Sequence, residues 1–325
     1  MSKNILITGA AGFIGSHLAE LCVRTGYNVK VFDRYNSFNN FGWLEKSKYK
    51  KDIEFILGDI RDYDSVSKAV NNCQIIFHLA ALIGIPYSYI SPLAYIRTNI
   101  EGTYNILESS KNFSIEQTII TSTSETYGSA QYTPMDEKHP LVGQSPYSAS
   151  KIAADQLAFS YHASFNMPLK IIRPFNTYGP RQSERAIISS IINQCLNDNK
   201  FIKVGNILPS RDFTYVSDTC DAFLEVSKKE DFNGKVINVG NNTEISINDL
   251  LKKIMELTNV DKEIQIENLR ERPLKSEVDR LMCDNKNILN NSDWKPKFTL
   301  EEGLLSTIKW LKNINDFSKS NLYNI

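Results

Sequence analysis

The sequence is short of several things, and each shortage excludes something. Neither sign of charge is in excess: Lys and Arg total 37, and Asp and Glu total 37. A balanced chain has no global field to hold nucleic acid or an anionic membrane, although a local basic pocket for one phosphorylated ligand stays compatible with it. Cysteine is scarce. Cys22, Cys73, Cys195, Cys220 and Cys283 are odd in number, scattered, and form no Cys-x-x-Cys pair. That is the pattern of reduced thiols in a cytosol, not of disulfides or a zinc site. The four histidines make no His-x-x-x-His spacing, so no metal is expected. Long apolar runs are missing too. The most apolar window, residues 75–85, is broken by His78 and Gly84 and falls well below the ~20 residues a bilayer span needs. Met1-Ser2-Lys3-Asn4 leads straight into the apolar Ile5–Ile7, with no signal-peptide pattern. The expectation is a cytoplasmic protein with no nucleic-acid or membrane partner.

What is present is the balance of a globular protein: 325 residues, 42% hydrophobic and 23% charged. At roughly 150 residues per domain this is about two domains or one large α/β unit. Short β-branched runs recur at Ile5–Thr8, Val29–Phe32, Ile53–Leu57, Ile75–His78, Thr118–Thr121 and Leu169–Ile172. Segments with helical spacing lie between most of them, notably Ile14–Arg24, Ser65–Val70, Ile100–Ser109 and Ser148–Phe165. This alternation predicts an α/β fold, a doubly wound parallel sheet covered on both faces. The second half is punctuated by Pro174, Pro180, Pro209, Pro273 and Pro296. It predicts a smaller C-terminal substrate-binding domain over 181–325, packed on a first domain over 1–180. One strand near 236–240 returns to the first sheet.

Gly9, Gly12 and Gly15 follow the first strand and open the first helix. Gly9 suits a tight turn, Gly12 a close approach of backbone to a pyrophosphate, and Gly15 close helix–strand packing. The helix N-terminus adds free N–H groups for phosphates. A plain βα turn would also accept these glycines, but Asp33 at the end of the next strand favours dinucleotide binding. Asp33 can accept from both adenosine ribose hydroxyls, which favours NAD over NADP; Arg34 beside it pulls the other way. Asp59 ends the third strand, either capping an adenine amino group or capping a turn.

Tyr147 and Lys151 stand four residues apart, on one face of a helix. A free tyrosine is a poor base at neutral pH, and a nearby ammonium stabilises its phenolate. Alone, such a pair is common on surface helices; beside a dinucleotide loop it reads as catalytic. The strand ending at Thr121 runs into Ser122-Thr123-Ser124-Glu125, at the end where open parallel sheets bind ligands. Thr123 can share a proton with Tyr147. Glu125 is either a solvated loop carboxylate or a general base.

Together these residues resemble the extended short-chain dehydrogenase/reductase superfamily of nucleotide-sugar enzymes, over nearly the whole chain. Gly9-x-x-Gly12-x-x-Gly15, Thr123 and Tyr147-x-x-x-Lys151 are similar to its cofactor and catalytic motifs. Residues 173–180, 211–216 and Arg272-Pro273 are similar to its sugar-nucleotide segments, and Trp294-Lys295-Pro296 to its C-terminal signature, with Asp293 where glycine is usual. The resemblance implies a Rossmann-like fold, NAD as cofactor with Phe13, Ile14, Ile60 and Ala80 along it, and Arg181 and Glu277 at the sugar nucleotide, whose diphosphate calls for arginines, for which Arg211 and Arg272 are candidates, with Asn176 as a hydrogen-bond donor. It also implies a homodimer paired through the helices containing residues 100–109 and 148–165.

Within the superfamily, Thr123-Ser124-Glu125 is similar to the 4,6-dehydratases. The dTDP-glucose branch has Asp in the middle position, as the acid for the departing 6-hydroxyl; Ser124 is as in the GDP-mannose branch. The resemblance therefore implies that Glu125 takes the C5 proton and also protonates the leaving group. Residues 83–87 and 272–278 are most similar to dehydratases of legionaminic-acid pathways, which points to GDP- or UDP-N-acetylglucosamine. A nucleotide-sugar 4-epimerase, a simple dehydrogenase and a non-catalytic NAD-dependent regulatory protein are the alternatives.

Overall fold

A computed structural model describes residues 2–314. The last part of the expected second domain, 315–325, lies outside the described residues.

Six strands of the first half are β1 (Asn4–Thr8), β2 (Asn28–Arg34), β3 (Ile53–Gly58), β4 (Ile75–His78), β5 (Gln117–Thr121) and β6 (Leu169–Pro174). With the later strand Val236–Val239 they form one sheet. Its order is Val236–Val239, β6, β5, β4, β1, β2, β3. Every pairing is parallel, which the Ile- and Val-rich runs anticipate. All seven expected strands are present, each within a few residues of its expected bounds. The returning strand pairs Val236 with Ile171 and Val239 with Pro174.

The helices on its faces are α1 (Phe13–Arg24), α2 (Tyr63–Val70), α3 (Ile85–Ile90), α4 (Pro92–Tyr95), α5 (Gly102–Asn112) and α6 (Pro146–Phe165). The expected helix over 100–109 needs correction. Residues 96–101 form a wide π-type turn, and regular α-helix begins only at Gly102. The helix expected from Ser148 starts two residues earlier, because Pro146 suits the first turn and Ser145 caps it in a reciprocal pair with Ser148. Later come α7 (Ile187–Leu196), α8 (Val216–Lys228), α9 (Ile247–Thr258) and a last described helix, Leu300–Ile314.

The direction of winding reverses between β1 and β4, where Thr8 at the end of β1 pairs with Phe32 near the end of β2 and with His78 at the end of β4. Open α/β sheets take their ligands at such a switch point. Among the described residues no helix is long and apolar enough to cross a membrane. All five cysteines are buried and free.

Candidate active site

The glycine loop starts at the C-terminal end of β1. Gly9 has φ +73°, and a Cβ there would stand 2.8 Å from the Ala80 backbone nitrogen. A Cβ on Gly15 would come within 2.7 Å of Ala10 Cα. Gly12 differs. A Cβ on it would meet only Gly9 O, at 3.3 Å, so its other side is open to a ligand. No side chain caps α1, which leaves its first-turn N–H groups to an anion. Asp33 accepts from Ala11 N and so ties the loop to the end of β2. Burial raises its pKa, partly offset by that bond.

The far wall is built on β4. Thr8 Oγ1 bonds His78 Nδ1 at 2.8 Å and accepts from Ala80 N at 3.1 Å. Burial lowers the His78 pKa to about 3, so this histidine is a neutral strut. Phe13 and Ile14 open α1, while Ile60 is buried behind α5, its carbonyl accepting from Asn105. Asp59 is not free. Arg61 Nε and Nη2 hold it at 2.9 and 2.5 Å, and this pairing takes its pKa down to about 2. The cap of α2 is Asp62.

Tyr147 and Lys151 lie on α6, 7% and 4% exposed. Lys151 Nζ donates to Thr121 O at 2.5 Å, which fixes α6 to the end of β5. Burial raises the Tyr147 pKa, and a hydrogen bond with Thr123 lowers it in part. Burial also lowers the Lys151 pKa. Burial thus dominates at the phenol, and Lys151 spends its hydrogen bond on Thr121 O, so the expected lysine-driven depression of the phenol is not what prevails here. Thr123 starts a short 3-10 turn, Ser124–Tyr127, whose residues are all buried. That geometry removes one of the two sequence readings of Glu125: it is 9% exposed, not a solvated loop carboxylate.

Glu125 meets residues far away in the chain. Arg272 Nη1 lies 3.5 Å from Glu125 Oε1 and 3.9 Å from Glu277 Oε1. Arg211 Nη2 lies 3.3 Å from the same Glu277 oxygen. Burial opposes the Arg272 charge, but Glu125 and Glu277 outweigh it and raise its pKa. For Arg211 burial prevails and lowers it, partly offset by Glu125. Asn176 has a buried Nδ2 with no partner. Arg181 stands apart from this group. It has φ +71° and bonds Glu20 on α1 at 3.0 Å.

Asn99 was not read from the sequence. Its side chain bonds Leu82 N at 2.8 Å, Leu82 O at 2.9 Å and Ser150 Oγ at 2.9 Å, joining the loop after β4 to α6. It sits in the wide turn over 96–101, for which no residue pattern is diagnostic. Two other absentees were legible. Pro86 and Pro92 occupy first-turn positions of α3 and α4, a recognised helix-start signal.

A glycine-loop sheet with a buried tyrosine–lysine pair on α6 defines an extended short-chain dehydrogenase/reductase, with NAD as its cofactor, and the loop and Asp33 fit that group. More narrowly, the sequence model of GDP-mannose 4,6 dehydratase matches residues 6–307, so the chain belongs to that nucleotide-sugar dehydratase/epimerase family. It is 30% identical over 329 residues to the dTDP-D-glucose 4,6-dehydratase of Mus musculus, covering 98% of this chain and 92% of the relative. Among solved structures it resembles a dTDP-glucose 4,6-dehydratase from Streptomyces venezuelae with NAD bound (TM-score 0.88, 25% identity, 95% and 97% covered). It also resembles a UDP-N-acetylglucosamine 4-epimerase from Methanobrevibacter ruminantium in complex with UDP-N-acetylmuramic acid (TM-score 0.86, 30% identity, 96% and 99% covered).

Proposed function

We propose that the protein is a nucleotide-sugar 4,6-dehydratase, which converts a nucleotide-diphosphate hexose to its 4-keto-6-deoxy form. The carrying observation is Glu125, a buried carboxylate on the turn that begins at Thr123, close enough to raise the Tyr147 pKa. Epimerisation at C4 needs the tyrosine and lysine but no further carboxylate. Dehydration needs one at C5.

In this reading Tyr147 takes the 4-hydroxyl proton, with Thr123 orienting the oxygen and Lys151 supporting the phenolate. NAD, when bound, supplies the hydride acceptor for C4 and the hydride donor for C6. The C4 ketone acidifies C5–H, and Glu125 removes that proton. The C6–O bond then breaks, and Glu125 passes its proton to the departing hydroxyl, so one water leaves. Ser124, a poor acid, is buried beside it on the same turn. Arg211, Arg272 and the unpartnered Asn176 Nδ2 meet the diphosphate. Glu277 aligns the two arginines.

For the sugar we propose GDP- or UDP-N-acetylglucosamine. The helix that continues the first of these segments, α3, touches the second: Tyr89 OH and Ser276 Oγ are 2.5 Å apart, and Ser276 Oγ donates to Gln144 O at 2.6 Å. We further propose a homodimer through α5 and α6, beside which Leu93, Ile96 and Tyr104 are exposed.

The second reading, a nucleotide-sugar 4-epimerase, draws on the likeness to the archaeal epimerase. Mass spectrometry separates the two. NAD-loaded protein is incubated in heavy water with GDP- and UDP-N-acetylglucosamine, GDP-mannose and dTDP-glucose. Loss of one water with deuterium in the product is expected. A new epimer at unchanged mass overturns the dehydratase reading.

A further inference from the structure

The ion pairs around Glu125 point to a device that the proposed reaction does not require, and the inference rests on that reading only for the role of Glu125. We infer that Arg272 latches Glu125 and is withdrawn from it by the substrate's diphosphate. The base is thereby set free by the correct ligand.

Three observations carry this. First, Arg272 is shared. The same Nη1 lies 3.5 Å from Glu125 and 3.9 Å from Glu277, so the guanidinium stands between the proposed base and the residue that anchors Arg211. Second, the hold on Glu125 is electrostatic and not a good hydrogen bond. Nη1 is buried and makes no hydrogen bond that satisfies donor geometry. A guanidinium that retains unspent donors in a buried place gains by meeting an acceptor that can use them. A diphosphate is such an acceptor: it carries more charge than one carboxylate and presents paired oxygens to the planar fork. Third, the backbone is anchored on both sides of Arg272, upstream by Glu267 N donating to Val204 O at 2.8 Å and downstream at Ser276, so the mobile part is the Arg272 side chain. Ser276 is bonded to Tyr89 and to Gln144 O, and Gln144 Nε2 donates to Glu277 O at 3.1 Å. Arg272 itself precedes Pro273 and is held by no comparable bond. Glu277 thus stays in place while Arg272 can turn.

The charged and titratable groups that face Glu125 are Arg272, Arg211 and Tyr147. Arg272 is therefore a positioning residue for Glu125 as well as a ligand for phosphate. Binding energy from the remote diphosphate is used to ready the group at C5, a form of induced fit.

The latch makes Glu125 and the diphosphate competitors for one cation. Removing the carboxylate should then tighten nucleotide binding. Isothermal titration of NAD-loaded protein with GDP, UDP and dTDP tests this without turnover. Glu125→Gln is expected to bind the best of the three about 3- to 10-fold more tightly than the unaltered protein. In an Arg272→Gln background, where affinity is lower overall, the same Glu125→Gln change should give no gain. A gain of equal size in both backgrounds would mean simple repulsion between Glu125 and the ligand, and would overturn the latch. So would an unchanged affinity in Glu125→Gln, or no binding of any of the three nucleotides. Because the readout is equilibrium binding, failure of the dehydratase reading in the mass-spectrometric screen is a separate result. Glu277→Gln keeps the comparison honest about folding: it removes a carboxylate of the same cluster and is expected to weaken binding, since Arg211 loses its anchor.

Discussion

Two arginine–carboxylate groups flank residues 122–125, and they are opposites. Behind the segment, Arg173 on β6 donates to Asp155 on α6 at 2.6 Å, and Ser122 Oγ donates to the same oxygen at 2.6 Å. Both partners are fully buried, at 1% and 0%. The guanidinium also lies 4.5 Å from the Tyr127 ring centroid. In front of the segment, Glu125 and Glu277 share Arg272 and Arg211 at 3.3–3.9 Å. In the first group the donors of Arg173 and Ser122 are spent within the protein, and the atom left without a partner is an acceptor, Asp155 Oδ1. The second keeps a buried Arg272 nitrogen without a hydrogen bond. A scaffold pair and an exchangeable pair can be built from the same residue types; what separates them is how deeply the pair is buried and whether the guanidinium spends its donors inside the fold.

The largest effect should come from breaking the scaffold pair. Asp155→Ala leaves Arg173 charged and buried without its counterion, a loss of about 3–5 kcal/mol. Glu277→Gln in the front group should change stability by less than about 1 kcal/mol. Urea unfolding of both variants checks this. Equal losses would mean that the front group is scaffold as well, and the contrast would fail.

Next in size is the chemical complement. Glu125→Gln should slow water loss by about 10²–10³-fold, the usual scale for a general base, with little change in the urea midpoint. Water loss at the unaltered rate would remove Glu125 from the scheme.

A fourth carboxylate sharpens the comparison, because it is buried with no cation bonded to it. Asp212 accepts from Asn241 N at 2.9 Å and Cys283 N at 3.1 Å. Burial nevertheless raises its pKa to about 6. Its folded pKa exceeds the unfolded value near 4, so the folded state binds the proton more tightly. The stability this confers is present in full below pH about 4 and is lost as pH rises through about 6, roughly 2–3 kcal/mol in all. Urea unfolding between pH 4 and 7 should show that fall, and Asp212→Asn should flatten it whatever its offset. An equally steep slope in the variant would assign the titration to another group.

How much of this was legible beforehand depended on distance along the chain. The strands were legible because each is a short apolar run whose partners impose nothing unusual. β6 is the informative exception: Lys170 and Arg173 sit fully buried inside it, satisfied by Ser227 O and Asp155, and only the flanking apolar residues marked the strand. The glycine loop and the Tyr147–Lys151 spacing were legible because both are local. The wide turn that delivers Asn99 was not, since packing and not composition sets it. The front ion cluster joins residues 125, 211, 272 and 277, which no local periodicity relates; only resemblance brought the arginines forward. Arg181, which the resemblance puts at the sugar nucleotide, lies outside this cluster: the chain turns there with positive φ and the side chain pairs with Glu20.

The smallest effect tests whether proximity alone makes an ion pair matter. Asp59 and Arg61 are 2.5 Å apart, closer than either arginine is to a carboxylate in the front group, but their side chains are 35% and 40% exposed. The Arg61 hydrogen bonds lower the Asp59 pKa to about 2. A depressed carboxylate contributes stability above its unfolded pKa near 4, and that contribution is lost as pH falls through about 2. Solvent screening at this exposure reduces the value well below what the shift implies, to less than about 1 kcal/mol. Arg61→Gln should therefore shift the urea midpoint at pH 7 only slightly, and 1 M salt should erase the difference. NAD affinity is the more telling readout. If Asp59 reaches the adenine, freeing it from Arg61 should change the NAD dissociation constant measurably; if it only closes the turn after β3, the constant should stay as it is. A stability loss as large as that of Asp155→Ala would show that contact distance outranks burial, and the distinction between the scaffold and exchangeable groups would lose its physical basis.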